Sequence, residues 1–281
     1  MLACSASLAQ ADPALVPGGS FTWYEEPAWF GGWSGAEISP DGSRLTVISD
    51  KGRLLQVDLA RKDGTVTDAT IITSCELSGA DGAPLLDKDT DAEGLAIDPR
   101  GAAFVSFEQR HRVARLDLDT CRTSPVAPHP DFSRLQPNSG LEALAIHPDG
   151  TLYTLPERSG DRTTPFPLYA FDGAEWHIAA RLPRNGPFLP VGADFDDEGH
   201  LYLLERAITL LGFRSRIRRF DLAAPDLGET TLLTSLPGQY DNLETITFWR
   251  DGSGTAHLTL LSDDNFFPIQ RTQIVEFALA E

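Results

Sequence analysis

One phrase recurs five times along this chain, each copy carrying a carboxylate beside a short apolar run and a tight turn. The copies are GGWSGAEISPDGSRLTVISD from Gly31, DAEGLAIDPRGAAFVSFE from Asp91, GLEALAIHPDGTLYTLPE from Gly140, VGADFDDEGHLYLLE from Val191 and DNLETITFWRDGSGTAHLTLLSD from Asp241. Aligned on the acid, they give Glu37, Glu93, Glu142, Asp194 and Glu244, at intervals of 56, 49, 52 and 50 residues. A repeat of about 40 to 50 residues made of short alternating strands is the mark of a β-propeller with four strands per blade. The sequence therefore predicts an all-β chain folded as a single β-propeller of five blades. A sixth, degenerate blade inside residues 60–90 or 120–138 is the alternative. The last copy supplies three strands, at 245–249, 257–261 and 273–279, so an N-terminal strand around Ser20–Tyr24 is expected to close the ring.

The third copy shows how one repeat folds. Glu142–Ile146 is a short apolar run suited to an innermost strand, and His147-Pro148-Asp149-Gly150 is a turn in which Pro fixes φ and Gly supplies positive φ. Residues 151–155 alternate as a second strand, and a third is expected over 168–172. In an up-and-down blade the Pro-Asp-Gly turns all fall on one face. The start of each first strand, with its acid, falls on the other. The acids that end the second strands, Asp50, Glu108, Glu157, Glu205 and Asp263, share the carboxylates' face. Basic residues follow them: Lys51, Arg53, Arg110-His111-Arg112, Arg158, Arg206 and, further on, Arg271.

Five carboxylates at one repeat position suggest a cation. Hard ions such as Ca²⁺ take six to eight oxygen ligands at about 2.3 to 2.6 Å. The expected metal ligands are thus Glu37, Glu93, Glu142, Asp194 and Glu244, for calcium or else magnesium, with Asp91 and Asn242 available to add or orient ligands. The competing reading is that these acids accept hydrogen bonds from backbone amides of neighbouring blades. Zinc fits less well, because the six His do not cluster beside the acids. A metal that polarises an ester oxygen and acidifies water needs no serine or cysteine nucleophile, and the chain has no G-x-S-x-G elbow, Walker loop or S-x-x-K motif. Around the ion, Arg110, His111, Arg158, Arg206 and Arg271, with Asp50 and Asp263, are the expected substrate-binding residues, and Glu108, Glu157 or Glu205 the expected general acid or base.

The net charge of −18 disfavours nucleic acid and anionic membranes as partners. No run of 18 apolar residues is present to span a membrane. The first eleven residues resemble the end of a secretory signal peptide, with Ala9-Gln10-Ala11 as a cleavage site, although no basic segment precedes the short apolar run. A lipoprotein reading with Cys4 lipidated is the alternative. The propeller domain is then 14–281, and a periplasmic or secreted location is expected, which makes a Cys75–Cys121 disulfide the expectation for the two remaining cysteines.

In order along all five copies, SGAEISPDGSRLTVISDKG, DAEGLAIDPRGAAFVSFEQRHRVARLDL, GLEALAIHPDG, GADFDDEGHLYLLER with RIRRFDL, and DNLETITFWRDGSGTAHLTLLSDDNF resemble the bacterial phytase-like family described as having esterase-like activity. The resemblance covers about residues 20–280 and implies a secreted β-propeller that hydrolyses phosphoesters or other esters. The ring is also similar to the five-bladed calcium-activated nucleotidases, whose central calcium is held by Glu and Ser residues. That similarity implies Glu37, Glu93, Glu142 and Glu244 as ligands, with Asp194 replacing Glu in the fourth copy. The expected function is a metal-dependent hydrolase, monomeric, acting on a small anionic ester. The rival is a non-catalytic binding propeller with a structural cation, and a third reading is a lactonase-like enzyme.

Overall fold

Strand-length apolar runs separated by Gly- and Pro-bearing turns pair locally, each with the run that follows. The computed structural model describes residues 13–62 and 64–280. The signal-peptide and lipoprotein readings of residues 1–11 fall outside them. Strand β1 (Ala14–Thr22) precedes the repeats. The first blade is β2 (Trp33–Ile38), β3 (Arg44–Ser49), β4 (Arg53–Lys62) and β5 (Thr65–Glu76). The second is β6 (Ala92–Ile97), β7 (Ala103–Phe107), β8 (Arg112–Asp117) and β9 (Arg122–Pro125). The third is β10 (Leu141–Ile146), β11 (Leu152–Pro156), β12 (Phe166–Phe171) and β13 (Trp176–Leu182). The fourth is β14 (Leu189–Phe195), β15 (His200–Thr209), β16 (Gly212–Asp221) and β17 (Thr230–Thr234). The fifth holds β18 (Asn242–Arg250), β19 (Ala256–Asp263) and β20 (Gln273–Ala280).

Each blade is a four-stranded antiparallel sheet, and the fifth is completed by β1, in the order β1-β20-β19-β18. The protein is a five-bladed β-propeller. The closing strand lies earlier than expected, with Ala14 opposite Ala280 and Thr22 opposite Gln273. Its placement follows from packing: Phe21 and Leu15 lean on the apolar clusters at either side of the fifth blade. No sixth blade forms among the described residues. Segment 60–90 holds the end of β4, all of β5 and a 3-10 turn at Asp87–Asp89, and 120–138 holds β9 and a 3-10 turn at Pro130–Arg134.

Apolar clusters fill the spaces between blades, each drawing on two neighbours. Leu45 and Val47 of the first blade pack with Trp249, Leu261 and Ile274 of the last, which makes the ring continuous. The inner strands β2, β6, β10, β14 and β18 touch one another in turn, and β18 returns to β2. They surround the central channel.

Every inner strand carries a β-bulge near its start. Trp33 lies opposite Ser49 and Gly35 opposite Ile48, which leaves Ser34 as the extra residue. The same register leaves out Glu142 in β10, Val191 in β14 and Glu244 in β18. In β6 the shift falls between Ala92 and Leu95, at Glu93-Gly94. A small residue follows each bulge because the next blade comes close. A Cβ on Gly94 would lie 3.0 Å from the Glu142 carbonyl oxygen, and one on Gly192 only 2.7 Å from that of Glu244.

Cys75, near the end of β5, is disulfide-bonded to Cys121, in the turn before β9, so the outer edge of the first blade is stapled to the second. Replacing both cysteines with alanine is expected to lower the unfolding free energy by up to about 4 kcal/mol, given a separation of 46 residues. Guanidinium unfolding midpoints would measure the loss.

Candidate metal centre at the acidic mouth of the channel

The bulges define layers along the channel. The bulge layer is Ser34, Glu93, Glu142, Val191 and Glu244. Two residues further in stands an apolar layer of Ala36, Leu95, Leu144, Ala193 and Ile246, which encloses an axial cavity of about 10 Å³ together with Glu142 and Glu244. Three of the five sequence-predicted metal ligands, Glu93, Glu142 and Glu244, thus meet in one layer at one mouth of the channel.

Their surroundings are strongly acidic. Asp91, Glu93 and Glu108 each offer an oxygen, and all three lie within 4.8 Å of one another. Each bulge acid keeps a partly accessible edge, but the channel wall withdraws it from bulk water. That burial, reinforced by Glu244 and Glu108, holds Glu93 well above the usual carboxylate range. Burial and Glu93 do the same to Glu142. Glu244 is raised by burial, against the opposing pull of Arg206. Glu108 is raised by burial as well. Asp263 is pushed up to about 8 by burial and by Glu244.

The second strands add an outer layer, and here the register corrects one expectation. Ser49, Phe107, Pro156, Glu205 and Ser262 are the residues paired beside each bulge. The next residues, Asp50, Glu108, Glu157, Arg206 and Asp263, form the outer layer. The fourth blade therefore contributes Arg206 to the mouth, not Glu205. A strand alternates sides with every residue, so the one-residue offset sends Glu205 to the opposite face. There it is fully buried, accepting bonds from Arg216 at 2.6 Å and Arg218 at 2.6 Å. Glu205 is an internal counter-charge, away from any substrate.

A second correction concerns Glu37 and Asp194. They sit three positions beyond the bulge, past the apolar layer, toward the turn-bearing face. Glu37 accepts the N–H of Ile97 on the next blade at 3.2 Å, and Asp194 accepts that of Phe248 on the next blade at 2.6 Å. Blade-to-blade capping, the competing reading of all five acids, describes these two. The residues that align with Glu93 in their blades are Ser34 and Val191. Ser34, whose hydroxyl donates to the Ala92 carbonyl at 2.5 Å, escaped the sequence reading. The small residue after each bulge was the signal that could have found it.

The basic residues form a belt outside the acids. Arg206 reaches inward: it pairs with Glu244, donates to Asn242 Oδ1 at 2.7 Å and lies 3.6 Å from Glu157. Asn242 also donates to Glu244 at 2.8 Å, so it orients that acid. Arg158 donates to Ser139 Oγ at 2.8 Å and is half exposed. Arg110 pairs with Asp89 at 2.9 Å. His111 packs against Gly140, and burial lowers its basicity. Arg271 is exposed, its backbone N–H bonded to Asp241.

The donor set of carboxylates, a hydroxyl and a carboxamide suits a hard oxygen-seeking cation. Residues 28–266 match the phytase-like family, described as having the esterase-like activity of phytase. The chain belongs to this phytase-like family. No curated protein matches it in sequence. Among solved structures it is similar to a gluconolactonase from Xanthomonas campestris, with 18% identity over 94% of each chain and a TM-score of 0.50. It is also similar to the PQQ-bound aldose sugar dehydrogenase of Streptomyces coelicolor, with 14% identity, 93% and 98% coverage and a TM-score of 0.48. Hydrazine synthase of Kuenenia stuttgartiensis gives 16% identity and a TM-score of 0.42; 85% of this chain spans 58% of that one. At 18% identity the likeness to the gluconolactonase is one of fold alone. Among the described residues no helix is long and apolar enough to cross a membrane.

Two outcomes follow from this geometry. In the presence of a chelator the folded mouth holds protons that the unfolded chain releases near pH 4, so stability falls as pH rises toward and through about 8, where Asp263 titrates. Melting temperatures in EDTA from pH 5 to 9 should decline, and saturating calcium should flatten that decline. Separately, Glu205→Ala strands Arg216 and leaves Arg218 with Glu229 alone, and is expected to cost about 3 kcal/mol in chemical unfolding.

Proposed function

We propose that the protein is a hydrolase of a phosphoester or related ester that works with a hard divalent cation, calcium before magnesium, at the acidic mouth. The observation that carries this reading is the common bulge layer, which gathers Glu93, Glu142 and Glu244 beside Asp91 and Glu108. Ser34 stands in the same layer. Like-charged carboxylates this close, with Arg206 as the inner counter-charge, gain more from a cation than from shared protons. The phytase-like family's esterase-like description supports an ester as the substrate. The Cys75–Cys121 disulfide fits a periplasmic or secreted location.

Glu93, Glu142 and Glu244 would hold the ion, with Asn242 and Arg206 fixing the direction of Glu244. A hard divalent cation supplies Lewis-acid polarisation of the ester oxygen and a lowered pKa for water. The chain's own residues do the rest. Arg158, Arg110 and Arg271, on the outer belt, attract and orient an anionic ester, guanidinium groups giving a two-point fit to phosphate. Glu108, raised above the usual range by burial, is placed to give a proton to the leaving oxygen, and Glu157 to accept one from water.

The test is a panel of chromogenic phosphate and carboxyl esters assayed with calcium and with EDTA. Calcium-dependent turnover is expected on at least one. Glu93→Gln and Glu142→Gln should each weaken calcium binding by about tenfold or more, the loss of one charged ligand being about 1.4 kcal/mol or greater. Arg158→Ala should raise KM for an anionic ester and leave calcium affinity intact. A calcium-dependent rise in melting temperature with no turnover on any ester would instead identify a binding propeller with a structural cation.

A further inference from the structure

The other end of the channel opens into a cavity of about 530 Å³ on the turn-bearing face. That volume lies within the range of about 300 to 1,000 Å³ typical of small-molecule sites. All five inner strands wall it with the residue four beyond the bulge: Ile38, Ile97, Ile146, Phe195 and Phe248. Pro40, Pro99 and Pro148, from the turns, line its outer part. Glu37 and Asp194 also line the cavity, each with only a small accessible edge, 8% and 6% exposed. The apolar layer that begins at Ala36 separates them from the acidic mouth, and the axial cavity of about 10 Å³ there has room for about one water.

The polar groups in this cavity are not all satisfied. Asp194 uses both oxygens, accepting the N–H of Phe195 at 2.7 Å and of Phe248 at 2.6 Å. Glu37 accepts the Ile97 N–H with one oxygen. Its other oxygen has no hydrogen-bond partner among the described residues. The cations at the rim are committed to acids of their own. Arg44 pairs with Asp58 at 2.8 Å, and Arg250 with Asp197 at 2.7 Å. An anion would meet uncompensated carboxylates here. A neutral apolar molecule would leave the Glu37 oxygen unpaired. A cation with an apolar body satisfies both the charge and the wall.

We propose that this cavity is a second ligand site, separate from the acidic mouth, that takes a small organic cation with an apolar body, its ammonium group seated against Glu37 and Asp194.

Isothermal titration of the full chain with phenethylammonium in EDTA tests it. Saturable binding at one site per chain is expected, with at least tenfold weaker binding of the neutral isostere 2-phenylethanol and of the anion phenylacetate. Glu37→Gln should weaken phenethylammonium at least tenfold. Pro148→Lys, at an exposed turn position that spares the buried wall, brings a positive charge to the outer cavity and should weaken it comparably. Glu93→Gln should leave it unchanged. Three results would overturn the proposal: no saturable binding of the amine, equal binding of the neutral isostere, or loss of amine binding in Glu93→Gln, which would place the amine at the acidic mouth.

Discussion

The bulge shared by all five inner strands governs where charge goes in this protein. It turns one backbone position per blade into the channel, and whatever residue stands there joins a common ring. Ser34, Glu93, Glu142, Val191 and Glu244 hold those positions. Three carboxylates in one layer, backed by Asp91 and Glu108, give the mouth a repulsion that protons or a cation must relieve. The bulge is tenable because the residue after it is small, which lets the next blade's carbonyl approach. Blade packing and site chemistry thus share one local backbone feature.

Glutamates in this propeller do three different jobs, and their position along the strand decides which. At the bulge they face one another. Three residues on, Glu37 caps a backbone N–H of the adjacent blade. On the far side of β15, Glu205 neutralises two arginines inside a blade. Residue type alone does not separate these roles. The alternation of a strand and one extra residue in it do.

Much of the fold was legible beforehand. The repeat interval, the Pro-Gly turns and the missing fourth strand of the last copy led to five blades closed from the N-terminus, as found. The disulfide followed from compartment and spacing. The site was legible only in part, because aligning the copies on their acids treats side chains as markers of register. Glu37 and Asp194 lie two residues before the first residue of their turns, whereas Glu93 and Glu142 lie five before theirs. Counting back from the turn, or aligning on the small residues Gly35, Gly94, Ala143, Gly192 and Thr245, brings Ser34 and Val191 into the ring. Glu205 was misplaced by a single residue of the same kind of miscounting. β18 is longer than the other inner strands, with Glu244 seven residues ahead of Asp251, so no one offset from the turn serves all five blades.

Joining β1 to β20 also sets an order of events in folding. The strand that precedes the repeats is hydrogen-bonded to the one that ends them, so this edge stays unpaired until the two meet. Its sequence suits that wait. Pro17 removes a donor, and the register slips between Pro17 and Gly19, features that make a strand a poor template for mispairing with other chains. The circle closes only when residues 273–280 meet β1, and until then the fifth blade lacks its outer strand.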